Sequence, residues 1–385
     1  MLDFKINSIE VDKMGELSKE EKDFRIQQLN YFNKVGFPNK RDEDWKFSDL
    51  REIFLKNFKK LEFNQIKSQD EKIEFVKEFE HNFILTSNGK LITSDFKYED
   101  EDSISIESFK NNNFSINREK NSLIHLNHAL SDNGFFLEVK ENYKFKKVLI
   151  IYNLFTSALN ENFLNFRNKI NIKKKSEVHI IELNINESKN IFFSNTYEDL
   201  KLENSAVLKK ICIHNNKNKG YFHKYSTNNL SGQSNYSSYI FPSGPKFNKL
   251  DLNVNLNGEN SEYNLNAATF LSQNEHQEIK TRINHLVPNC KSYQKVKKVV
   301  DTESKGVYQG KIYVRDIAQK TNAYQISKAI LLNENSEFNS KPELEIYADD
   351  VKCSHGSTSG SIDEDSIYYL MSRGLNRKES IELLI

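Results

Sequence analysis

Cysteine is scarce: Cys212, Cys290 and Cys353 are odd in number, far apart in the 385-residue chain and without a C-x-x-C pair. A disulfide framework is therefore not what stabilises the fold, and a reducing compartment fits. Glycine is also thin, at 13 residues, and neither G-x-x-x-x-G-K-[ST] nor G-x-G-x-x-G occurs, so the sequence offers no ATP site and any ATP chemistry falls to a partner. No apolar run reaches the roughly 18 residues that a bilayer demands, and MLDFKINSIEVDK lacks the basic-then-apolar plan of a secretion signal. The expectation is a cytoplasmic chain with no membrane attachment. Neither sign of charge dominates: 55 basic against 54 acidic residues leave +1, which argues against a nucleic-acid coat or a polybasic membrane binder. Hydrophobic residues make up only 37%, a value that alone would suit disorder, yet 27 Phe and 17 Tyr argue for a packed chain.

Three stretches differ in pattern. In residues 1–120, Ser18 and Glu21 have capping-box spacing, Phe24, Phe32 and Val35 supply a partial apolar face, and Gly36 with Pro38 ends the helix. KRDEDWKFSDL follows with the only tryptophan, Trp45, read as a core plug. FILTSNGKLI sets Asn88-Gly89 between two β-prone runs, the signal of a two-residue hairpin. The polar stretch from Tyr98 to Asn121 reads as a linker. Residues 121–350 then bring one short β-prone run after another, among them FFLEV, VLIIYNLF, VHIIELNI, VLKKICI, LDLNVNL and ELEIYA. Polar turns recur around Ser176, Ser205, Ser234 and Ser261, at intervals of 29, 29 and 27 residues, and ENSEF around Ser336 repeats the theme. Short strands with a turn at a fixed phase predict stacked β-solenoid rungs, whereas a sandwich has no reason to repeat its turn chemistry. Residues 351–385 turn helical: Ser361 with Glu364 and Asn376 with Glu379 have capping-box spacing, and Ile367, Leu370 and Met371 share a face before Gly374.

Candidate chemistry is sparse. A solenoid suggests a carbohydrate-active enzyme, which needs clustered carboxylates with a nearby cation. Asp349 and Asp350 are adjacent, but neighbours in a strand point to opposite faces. Gly356 to Gly360 reads GSTSG, with Thr where a hydrolase elbow needs Ser. The histidines other than His355 are scattered. Cys353-Ser354-His355 is the most distinctive cluster: a thiol and an imidazole two residues apart face one side of an extended chain, where both could meet a metal ion. Two ligands do not close a site, so the remainder would come from elsewhere or from a partner chain.

YADDVKCSHGSTSGSIDEDSIYYLMSRGLNRKESIELLI at the C-terminus, GFPNKRDEDWKFSDL near the N-terminus and LNHALSDNGFFLEV between them resemble the SufB/SufD family of iron-sulfur cluster assembly proteins. Leu370, where SufB members carry a cysteine, together with KCSHG and DEDW, puts the resemblance on the SufD side. It implies a mainly β protein, a right-handed parallel β-helix with helical N-terminal and C-terminal regions. It further implies a non-catalytic scaffold that pairs with a SufB-like paralogue, or with itself as a homodimer, and binds a SufC-like ATPase through Asp363 to Ile385. Its cargo would be iron or a nascent iron-sulfur cluster, transient and at the paralogue interface. By residue-for-residue match, His355 falls on the family's interface histidine, a metal ligand, and Cys353 on its neighbouring cysteine. The isolated chain is expected to hold no stable cluster, because its cysteines are dispersed.

Overall fold

The computed structural model describes residues 5–15, 17–63, 73–109, 121–214 and 218–385. It is mainly β: a parallel solenoid of about seven turns with helices at both ends. The entry consists of α1 (Ile9–Asp12), α2 (Lys19–Val35), α3 (Leu50–Asn57), the hairpin β1 (Asn82–Ser87) and β2 (Lys90–Asp95), β3 (Ile104–Ser108), α4 (Ser122–Leu130) and β4 (Asn133–Val139). The rungs are then laid down in pairs: β5 (Leu149–Phe155) with β6 (Phe163–Ile172), β7 (Glu177–Asn186) with β8 (Phe192–Leu202), β9 (Val207–His214) with β10 (Asn218–Leu230) and β11 (Asn235–Phe241) with β12 (Pro245–Leu256). β13 (Glu262–Leu271) with β14 (His276–His285), β15 (Lys291–Val300) with β16 (Lys305–Val314), and β17 (Thr321–Leu331) with β18 (Glu337–Ile346) follow. The chain closes with β19 (Val351–Ser361), α5 (Glu364–Ser372) and α6 (Arg377–Leu384).

Odd-numbered strands from β5 to β19 stack in parallel into a ten-stranded sheet that ends in β1 and β2; even-numbered ones from β4 to β18 form a nine-stranded sheet that ends in β3. Alternation explains why such a polar chain folds. In β15 every second residue is buried, and Ser292, Gln294, Val296, Lys298 and Val300 point between the sheets. Leu137, Ile170, Leu200, Leu230, Val254 and Ile283 stack on the inner face of one sheet opposite Val178, Ile180, Leu208 and Leu265 of the other. Each fully buried side chain of this kind contributes roughly 1.5–3 kcal/mol.

The recurrent turns mark one corner. Lys175, Ser205, Gln233, Asn260, Asn289 and Lys320 all sit there with φ between 57° and 62°. Their amides climb the solenoid: Lys175 N–H donates to the Asn204 carbonyl (3.0 Å), Ser205 N–H to Gly232 (2.9 Å) and Gln233 N–H to Glu259 (2.9 Å). The next residue turns inward and is buried, as Ser176, Ala206, Ser234, Ser261, Cys290 and Thr321. The predicted serines do share a corner, but Ser205 stands one position early in its turn. Ser336 belongs to the opposite corner, where Glu337 N–H donates to the Ser304 carbonyl at 3.0 Å.

Other expectations shift in detail. The capping box of Ser18 and Glu21 is present, but the buried stripe of α2 is Arg25, Gln28, Leu29 and Phe32, while Val35 is exposed. The hairpin at Asn88-Gly89 forms, with φ of 49° and 86°. The stretch read as a linker contains β3, antiparallel to β4, while residues 110–120 lie outside the described part. Asp363, not Ser361, caps α5, accepting from Ser366 N–H at 2.9 Å. Trp45 is the core plug expected of it, at 2% exposure. Phe37, Leu50, Phe54 and Phe58 join it in sealing the outer face of the nine-stranded sheet against Phe163, Phe193, Tyr221 and Phe247.

Candidate functional site at the open end of the solenoid

The first rung is closed by antiparallel strands β2 and β3, whereas among the described residues no strand covers the last. Of these residues β18 pairs only with β16 and β19 only with β17, so each leaves one row of backbone N–H and C=O groups without a strand partner among them. Cys353 and His355 lie on β19, beside Ala323 and Gln325 of the rung below. The strand region thus runs on to Ser361, because Val351, Cys353, His355 and Ser357 continue the inward row of β17. Ser327 ties this layer together, its Oγ 2.8 Å from Ser340 Oγ and 2.9 Å from Ser357 Oγ.

The two predicted site residues therefore share a face, and burial separates them. Cys353 is half-buried against the small cluster of Ile312, Val314, Ala318 and Ala323. Desolvation pushes its thiol above the usual range, only partly opposed by a hydrogen bond with the Ala323 backbone. His355, two residues further along, is exposed at the mouth of the solenoid. Among the described residues no three His, Cys, Asp or Glu side chains converge as a metal site, so His355 and Cys353 are at most part of a ligand set. Asp349 and Asp350 occupy an exposed bend at the corner before β19, not an acid–base pair in a cleft.

Beyond β19, Arg377 makes a bidentate pair with Glu364 at 2.8 and 2.9 Å and holds α6 against α5. The capping box of Asn376 and Glu379 is formed. Of the expected apolar face only Ile367 is buried; Tyr368, Tyr369, Met371 and Leu383 are exposed at 75%, 57%, 41% and 67%.

Two polar constellations escaped the sequence reading. Inside the solenoid, Lys210 lies 2.8 Å from Glu182 and 2.5 Å from Glu198, and Lys224 lies 2.8 and 2.9 Å from the same pair. Burial disfavours the ionised carboxylates, yet the two ammonium groups hold both below the usual carboxylate range. Cys212, next to this quartet, is pushed up to about 12 by desolvation, which leaves it an inert thiol. A signal was available: Glu182 and Lys210 interrupt the inward rows of VHIIELNI and VLKKICI. Outside, the Lys249 ammonium sits 4.8 Å from the Trp45 ring centroid, donates to the Asp44 carbonyl at 2.9 Å and pairs with Glu278, which also accepts from Ser48 Oγ at 2.5 Å. Lys280 pairs with Asp44 and Lys341 with Glu43, strapping the DEDW segment over the rungs from β12 to β18. That constellation joins residues some 200 positions apart, and no local pattern marks it.

Comparison with known proteins finds two family models that follow one another along the chain. The family model described as SUF system FeS cluster assembly, SufBD core domain, matches residues 155–385, and that of the SufBD protein N-terminal region matches residues 15–151. The iron-sulfur cluster assembly protein SufD of Escherichia coli (strain K12) is 25% identical over 372 residues, covering 93% of this chain and 85% of that protein. An iron-sulfur cluster assembly SufBD family protein of Synechocystis is 33% identical over 196 residues, 50% of this chain and 43% of its own. The chloroplastic protein ABCI7 of Arabidopsis thaliana is 26% identical over 216 residues, 56% of this chain and 46% of its own.

Proposed function

The chain belongs to the SufBD family of SUF-system iron-sulfur cluster assembly proteins, and we propose that it serves there as a non-catalytic scaffold subunit on the SufD side of the family. In this reading the bare edges of β18 and β19 pair with a SufB-like paralogue, and the exposed faces of α5 and α6 hold a SufC-like ATPase. Iron enters a cluster forming at the paralogue interface, as cargo rather than as a resident cofactor. The carrying observation is His355, an exposed imidazole on an edge strand whose backbone is open to a partner. Imidazole suits ferrous iron. Cys353 is the poorer donor of the two, because its half-buried thiol resists losing its proton. The same open edge supports a homodimer when no paralogue is present.

A cytoplasmic setting belongs to the proposal; its support is the absence of paired cysteines and, among the described residues, of any helix long and apolar enough to cross a membrane. The carbohydrate-enzyme reading gains nothing from the geometry, since the adjacent aspartates lie in a solvated bend.

The test is co-expression with the paralogue and the ATPase. His355→Ala should leave the complex assembled and hydrolysing ATP but unable to mature clusters, with Cys353→Ser doing less harm. Loss of assembly in the His355 variant would assign the residue a structural role instead, and normal cluster maturation would remove it from the mechanism.

A further inference from the structure

The outer faces of the two sheets treat their lysines differently over the last rungs. On the nine-stranded sheet each lysine meets a glutamate: Lys305 lies 3.2 Å from Glu337, Lys341 lies 3.2 Å from Glu343, and Lys311 pairs with Glu345. On the ten-stranded sheet Lys291, Lys295 and Lys297 of β15, Lys328 of β17 and Lys352 of β19 are all exposed, and among the described residues none forms an ion pair. Glu262 is the single acid on the outer positions of β13, β15, β17 and β19, and it accepts from Asn264 at 2.9 Å.

Lys297 and Lys328 are direct neighbours in the parallel register. Adjacent strands lie about 4.8 Å apart, and like charges facing each other at that spacing disfavour the pairing. Between the lysines, Tyr293 and Tyr324 stack with ring centroids 5.6 Å apart and an interplanar angle of 14°, both exposed at 36%. Asn322 fixes the pair by donating to the Tyr293 hydroxyl at 3.1 Å. A rigid aromatic platform inside a ring of unpaired ammonium groups is therefore built into a flat face.

We propose that this face binds an extended, carboxylate-rich segment of a protein partner. Three features select that occupant. Lys295 and Lys297 repeat along the strand at about 6.8 Å, the spacing of alternate side chains in an extended peptide. Carboxylates are what satisfy lysines on the opposite sheet of the same rungs. The face holds no arginine, the residue best suited to bidentate phosphate recognition, so a nucleic acid fits it less well. The surface is the outer row of the sheet, whereas His355 is on the inward row of β19; Lys352 shares that edge strand, but Lys295, Lys297 and Lys328 on β15 and β17 lie away from it and are tested apart from it.

Fluorescence anisotropy on the full chain tests the proposal, with a labelled decapeptide of alternating glutamate and serine as the probe at low salt. Saturable binding is expected, weakened about ten-fold or more by the triple substitution K295Q, K297Q and K328Q and weakened again by added salt. The triple K90Q, K140Q and K174Q, which removes the same charge elsewhere, should stay within about two-fold of the wild type. Circular dichroism checks that both variants are folded. An equal loss in the control triple, absence of saturable binding, or tighter binding of oligo-dT through the same three lysines would overturn the inference.

Discussion

Three buried histidines are shielded from water, His214 and His285 inside the solenoid and His128 on α4 beside Arg167 of β6, and burial holds them neutral. His128 is lowered to about 2, first by desolvation and then by the neighbouring Arg167; His214 falls to about 4 and His285 to about 3, chiefly by desolvation. Because the folded-state values lie below the unfolded value near 6.5, the unfolded chain takes up more protons as the pH drops. Stability should accordingly be level above about pH 6.5 and fall below it, by roughly 1.4 kcal/mol per pH unit for each of the three. Urea unfolding at pH 7.5, 6.0 and 5.0 measures this. His285→Gln should remove about a third of the slope, and an unchanged slope would mean that the ring is hydrated in solution. The buried Glu182, Glu198, Lys210 and Lys224 quartet adds to the same acid limit only at lower pH, where its depressed carboxylates begin to protonate. Only His355 combines exposure with a place on an open strand edge, which is why one histidine of nine carries the functional proposal.

At the scale of the element, the corner is the unit that sets the rung. A left-handed residue costs a non-glycine side chain roughly 1–2 kcal/mol, and the fold accepts this at Lys175, Ser205, Gln233, Asn260, Asn289 and Lys320 in succession. What compensates is the amide ladder between corners, which satisfies backbone groups that a tighter turn would leave unpaired. Gln233→Gly should therefore be neutral or stabilising by up to about 1 kcal/mol, and Gln233→Val destabilising by about 1–2 kcal/mol, because a branched Cβ fits the left-handed region worst. Denaturant midpoints of the two variants decide it; equal midpoints would show that the corner relaxes to another conformation. The corner was half legible in the sequence. Serine recurs there because a small side chain fits the inward position after the left-handed residue, yet Ala206, Cys290 and Thr321 fill the same place, so a search for serine alone mistook Ser205 and Ser336 for equivalents.

For the molecule as a whole, the stack is nearly one-dimensional: each rung rests on its neighbours, and the terminal rungs rest on one. Antiparallel strands β2 and β3 cover the start, the aromatic layer around Trp45 seals the outer face of β6 to β12, and nothing among the described residues pairs the outer edges of β18 and β19. Hydrogen exchange on the isolated chain should find the amides of β18 and β19 the least protected of the solenoid, rising through β17 and β16 toward the middle rungs. Addition of the paralogue should protect β18 and β19 by about ten-fold or more, with β5 to β8 unchanged. Equal protection along the stack in the isolated chain would mean that this end is already closed, by a second copy or by the terminal helices, and the docking proposal would then need another surface.

The sequence by itself determined the rung. Strand alternation, turn recurrence and the capped helices follow from period and local chemistry, and those act over a few residues wherever the chain is placed. The KCSHG segment was equally readable, since two side chains at i and i+2 share a face of any strand. Only the tertiary structure decided which of the two is solvated, because Cys353 packs against Ala318 and Ala323 from earlier in the chain while His355, on the same last rung, is left exposed. It alone brought Lys249 to Trp45, enclosed two lysines with two glutamates, and left five lysines of the ten-stranded sheet without the carboxylates that the opposite sheet supplies. These are sums over rungs about 30 residues apart. No local window contains them, and the physical quantity that settles each one, its distance from water and from countercharge, exists only once the rungs are stacked.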